Sequence, residues 1–163
     1  MSEGVLKSVS VSLQTIRQYV ETLSWIEGGI LSADVLQIVD FLETKSDSSW
    51  LVSQTRLSVA LLAHWQERLR FTIRSLEIVL SQRRDVLDQQ VRESLKKSRR
   101  QTRMRYIEAG IAADADYSQQ LDVLRQYELA LGTLEGLSSA MDTSLIVQEA
   151  VAVRRQEVED SQI

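Results

Sequence analysis

Apolar side chains recur every three or four positions along almost the whole chain, a spacing that belongs to helices rather than strands. Val9, Leu13, Ile16, Val20 and Leu23 set the first run and predict a helix from about Val5 to Glu27. Gly28-Gly29 is expected to stop it, because glycine takes up the left-handed C-terminal turn. Ser32 is placed to cap a short second helix running to about Thr44, with Val35, Leu36, Val39 and Leu42 as its buried stripe. The segment "KSDSS" reads as a polar loop ending in an N-cap just before Trp50.

From Trp50 to about Arg100 no residue obviously interrupts a helix. Trp65, Leu69, Ile73, Leu76, Leu80, Leu87, Val91 and Leu95 form one apolar stripe with a repeat close to eleven residues. That repeat favours a straight or slightly right-handed bundle over a left-handed coiled coil. Arg84 is the one charged position in the stripe, fitting either a snorkelling side chain or a bend near "SQRRD". A straight helix of about fifty residues spans roughly 75 Å. A compact domain of this length is only about 40 Å across. The long helix therefore either breaks or is covered by neighbouring subunits, and an oligomer is expected.

Beyond it, "YIEAGIAA" predicts a short helical segment and "DADYSQQ" a restart, with Asp116 and Gln119 in capping-box spacing. The last helix is expected to reach about Glu157, with Leu124, Tyr127, Leu131, Leu134, Met141 and Leu145 at heptad-like intervals. Gly132, Gly136 and Ala140 lie four apart and suit close helix approach, within one subunit or between two. The acidic end, "EVEDSQI", is expected to fray.

Composition strengthens this picture. The 163 residues include no proline and only six glycines. The expected fold is all-α: an elongated helical bundle with one long central helix, assembling as an oligomer. It reads as a single domain, with residues 1–48 as an N-terminal helical pair and 49–163 as the helical core. Without cysteine there is no disulfide and no thiolate metal site. No run of about eighteen apolar residues occurs and the start has no signal layout, so a soluble protein of the cytoplasm is expected.

Charge changes the picture further. The stretch "RESLKKSRRQTRMR" holds seven positive charges and one negative, in a chain of formal net charge −4. From Arg68 to Arg105 there are twelve Lys/Arg against four Asp/Glu, a balance of +8; the remainder stands at −12. Arg92, Lys96, Arg99, Arg100 and Arg103 fall on one side of an extended helix, away from Val91 and Leu95. A solvated face is the plain alternative. The density and the contrast with the acidic remainder point instead to a phosphate-binding surface. Ten of the twelve cations are arginine, whose fork suits phosphate oxygens. Tyr106 is the one aromatic close enough to stack on a base, so Arg92, Lys96, Lys97, Arg99, Arg100, Arg103, Arg105 and Tyr106 are the candidate nucleic-acid contacts. Such contacts hold the backbone and read little sequence.

Catalytic signals are weak. His64 is the single histidine, beside Trp65, and makes neither a zinc site nor a convincing base; a half-buried helix residue is expected. Asp114 and Asp116 resemble a carboxylate pair, but helix capping accounts for them. No glycine-rich phosphate loop or nucleophile elbow is present. The chain reads as non-catalytic, without metal or cofactor.

Residues 90–157 also carry a resemblance. A basic helix end is followed by Glu108-Ala109, then Asp116-Tyr117, then a long helix closing on Arg154, Arg155 and Glu157. This arrangement resembles the phage recombination mediators of the UvsY-like family. The resemblance implies an all-helical, ring-forming protein that binds single-stranded DNA. It further implies help in loading a RecA-like recombinase onto DNA coated by a single-strand-binding protein, in a host cytoplasm if the chain is phage-encoded. The family's Lys-x-Arg at the end of the long helix is matched by Lys97-Ser98-Arg99; the paired tyrosines that follow it in some members are missing. A reading of another class stays open: a helical structural or chaperone-like protein, such as a virion or assembly factor, whose basic face meets an acidic protein partner.

Overall fold

A computed structural model describes residues 13–44, 49–97 and 104–160. Every regular element among them is helical: α1 over 13–21, a one-turn 3-10 helix Ile26–Gly29, α2 Ile30–Thr44, α3 Ser49–Lys97, α4 Met104–Ala112 and α5 Ala115–Asp160. The all-α expectation holds, and so does the long helix: α3 continues through Ser81–Asp85 without interruption. The expected domain boundary at 48/49 adjoins segment 45–48, which lies outside the described residues. By contacts the chain divides into two compact units, Glu67–Leu131 and the residues on either side of it.

In the unit made by the flanking residues, α1 ends earlier than the glycines suggest. The Thr22 hydroxyl donates to the Tyr19 carbonyl at 2.6 Å, and the N–H groups of Thr22, Leu23 and Ile26 reach carbonyls three residues back. These tightened turns close the helix near Glu21 rather than Glu27. The glycines still make the reversal, since Glu27, Gly28 and Gly29 all have positive φ. Nor is Ser32 an N-cap. It sits inside α2, and its buried hydroxyl donates to the Val20 carbonyl at 2.9 Å, a second donor to an oxygen that also accepts from the Leu23 N–H. The buried stripe of α2 is Leu31, Val35, Ile38 and Val39, with Leu36 and Leu42 only half-buried. Leu62 and Trp65 of α3 and Leu134, Leu137 and Met141 of α5 are buried in the same unit. Trp65 Nε1 donates to Asp34 at 2.8 Å, and Arg17 bridges Asp40 and Glu43.

In the unit Glu67–Leu131, one cluster joins Ile73 and Leu80 of α3 to Leu124 of α5, with Leu76, Tyr117, Leu121, Tyr127 and Leu131 packed around it. A second joins Leu87 of α3 to Ile107 and Ile111 of α4, with Val91, Leu95 and Tyr117 against it. The eleven-residue stripe is thus the buried seam. The opposite side of α3 is unusual. Phe71, Ile78, Val79 and Val86 are exposed there, Phe71 to 75% and Ile78 to 59%. Ser75, Gln82 and Gln89 lie between them, together with the exposed Asp85 seven residues after Ile78, and Arg74 borders Phe71 and Ile78.

The restart of α5 departs from expectation in its cap. Asp114 Oδ1 accepts from the Tyr117 N–H at 2.7 Å, the N-cap to N3 bond, while Asp116 lies within the first turn. Asp114 Oδ2 also accepts from Arg83 at 3.2 Å, tying the cap to α3. Asp114→Ala therefore costs about 1–2 kcal/mol in urea unfolding, and Asp116→Ala, which loses only the dipole interaction, costs under about 1 kcal/mol. Equal losses would contradict the assignment.

Candidate nucleic-acid interface

The apolar cluster of Leu87, Ile107 and Ile111 is the anchor of the basic region. Leu95 packs on it, and Lys96 and Lys97 follow as the exposed last turn of α3. Ile107 lies within it, and Arg105 and Tyr106 precede it on the exposed first turn of α4. Both ends of the basic stretch therefore leave one apolar knot. Arg99, Arg100 and Arg103 fall in segment 98–103, outside the described residues.

The candidates are not equivalent. Arg92 is half-buried and engaged: its Nε and Nη2 donate to the Asp88 carboxylate at 2.6 and 3.3 Å. That hydrogen-bonded carboxylate raises the guanidinium pKa further and offsets its charge towards any ligand. Lys96 and Lys97 have no acid partner among the described residues. They also suit the negative end of the α3 dipole, an effect worth about 0.3–1 kcal/mol each at most. Arg105 lies over the Tyr106 ring, 4.7 Å from its centroid, and donates to the phenolic oxygen at 2.8 Å. One face of the tyrosine is thus already stacked, leaving a cation–aromatic pair rather than a bare ring.

Further cations lie upstream. Arg70 pairs with Glu67 at 2.7 Å and Arg83 with Asp114, whereas Arg74 and Arg84 are exposed with no acid partner among the described residues. Arg84 lies within the unbroken helix α3. It lines an open cleft of about 280 Å³ with Glu108, Ile111, Ala112, Tyr117, Ser118 and Leu121. The stripe marks Arg84 as an anomaly but gives no sign of the cleft, which forms only when α4 and α5 close around that position.

The remaining chemical candidates do not assemble. No group of three metal-ligating side chains occurs among the described residues. His64 is exposed rather than half-buried, with its ring edge-on to Trp65 at 5.7 Å. No helix among the described residues is long and apolar enough to cross a membrane.

The seat of α4 depends on Gly110. A Cβ there would meet the two Val91 methyl carbons at 2.8 and 2.9 Å. Valine has one strongly preferred rotamer in a helix, so it yields poorly. Gly110→Ala should destabilise the protein even though alanine is favoured over glycine by about 1 kcal/mol within a helix. In a Val91→Ala background the same substitution should become neutral or stabilising. Urea unfolding of the four proteins reads the coupling, and an unchanged Gly110→Ala effect in both backgrounds would show that α4 is not held there.

No known protein family matches this chain, and no curated protein or solved structure matches it either.

Proposed function

We propose that this protein is a homo-oligomeric binder of single-stranded DNA. In this reading it holds the strand by its phosphates and acts as a recombination mediator for a RecA-like recombinase. The observation that carries the proposal is a set of exposed cations that no described acid neutralises: Arg74, Arg84, Lys96 and Lys97, in a segment whose balance is +8. Stabilisation of a helix end accounts for the two lysines but not for the two arginines, which lie well inside α3. Backbone contacts by Lys and Arg give affinity without sequence readout, and the Arg105–Tyr106 stack offers a platform for an unpaired base. The mediator role is supported by the resemblance of residues 90–157, and the single-strand-binding protein and recombinase enter as partners on the same basis.

Self-association is supported by the apolar side chains exposed on the outer face of α3. Phe71, Ile78, Val79 and Val86 stand exposed on a helix whose other side is already buried. A second copy is the natural cover for such a face, because it brings the same apolar side chains and adds basic stretches to one assembly. Weak phosphate contacts then sum by avidity.

Two experiments test these points. Replacing Lys97, Arg99, Arg100 and Arg103 by alanine should preserve circular dichroism, since alanine is the best helix former. It should weaken oligonucleotide binding and flatten the salt dependence, by about 0.7 in log–log slope for each phosphate that is no longer neutralised. Arg92→Ala should do less, because Asp88 already engages that charge. If the quadruple variant binds as the parent does at every salt concentration, the basic stretch serves another partner, and an acidic protein becomes the better reading. Separately, Phe71→Glu with Ile78→Glu should leave a folded species of 18.5 kDa in sedimentation. A parent protein that already sediments at that mass would refute self-association.

A further inference from the structure

We infer that the cleft beside Arg84 is a pocket for one amino-bearing base, cytosine or adenine, of the bound strand. The inference rests on the proposed DNA binding and adds to it a base preference. Along the buried seam of α3, Leu80 and Leu87 are closed over by α5 and α4, and Arg84 stands between them where an apolar residue would continue the seal. The result is an opening of about 280 Å³ instead of packed side chains. That volume is just below the roughly 300–1,000 Å³ found for sites of drug-sized molecules, as suits a single base.

The lining is chemically divided. Ile111, Ala112, Leu121 and the half-buried Tyr117 supply apolar and aromatic surface for a ring. Arg84 and Glu108 both border the cleft, yet they form no ion pair with each other. Two opposite charges left unjoined across a gap suit a ligand that is anionic at one end and a hydrogen-bond donor at the other. A nucleotide meets both conditions, with its phosphate on the guanidinium and its exocyclic amine donating to the carboxylate. Thymine would turn a carbonyl oxygen towards Glu108 and be disfavoured.

The test compares oligo-dC with oligo-dT of equal length, by fluorescence anisotropy at neutral pH. The parent should bind the cytosine strand about fivefold more tightly, the low end for one carboxylate–amine contact in an open site. Glu108→Gln should abolish the preference, because an amide both donates and accepts. Arg84→Leu should also abolish it and weaken both strands, while raising the urea midpoint as leucine fills the cleft. Equal binding of both strands by the parent, or a preference that survives Glu108→Gln, overturns the base pocket and leaves backbone binding standing. A lower midpoint for Arg84→Leu would likewise overturn it, by making the arginine a structural support. Failure of both strands to bind removes the DNA reading together with the pocket.

Discussion

The apolar stripe of α3 has to be covered from Leu62 to Leu95, and the other described elements are arranged to do that. Each fully buried leucine or isoleucine contributes about 1.5–3 kcal/mol, so leaving one stretch of the stripe in water would cost as much as several hydrogen bonds return. In one unit Leu62 and Trp65 are buried together with side chains of α1, α2 and the later part of α5. In the other, the start of α5 covers Ile73 and Leu80, and α4 covers Leu87. Both clusters share Tyr117, which stands three residues after the cap at Asp114. The cap is therefore more than a helix end: it fixes the residue that joins two parts of the seam.

The proposed function grows out of this packing. Because the chain spends its apolar residues on the seam, the far side of α3 and its last turn are available for other contacts. The last turn is lysine, and the far side exposes Phe71, Ile78, Val79 and Val86. Gly110 lets α4 approach Val91 closely, which places the Arg105–Tyr106 pair at the edge of the same apolar knot that ends in Lys96 and Lys97. At Arg84 the seam is left open, and the opening is bordered by charge of both signs.

The elements legible in the sequence are the long periodic ones. The eleven-residue repeat through Trp65, Leu76 and Leu87 runs long enough to outweigh local ambiguity, and α3 follows it. Caps are not legible in the same way. Asp114 and Asp116 have the same chemistry two positions apart, and only the point at which the backbone turns helical decides between them. Ser32 has the chemistry of a cap, and nothing in the local sequence reveals that Val20, twelve residues earlier, offers its carbonyl instead. The pairing of Arg92 is visible as an i,i+4 aspartate, but a count of excess charge conceals it. The outer face of α3 lies in the sequence too, as a second apolar series that the stronger stripe overshadows. The cleft at Arg84 depends on three helices meeting, which no local spacing encodes.

The central claim is that the exposed cations of α3 and its C-terminal end bind single-stranded DNA through phosphate neutralisation. The most direct measurement is the affinity of the unaltered protein for a single-stranded oligonucleotide across a range of salt concentrations. Counterion release predicts a straight log–log decline, steeper by about 0.7 for each phosphate engaged, with several contacts summed. An affinity that does not change with salt, or no measurable binding at low salt, would contradict the account.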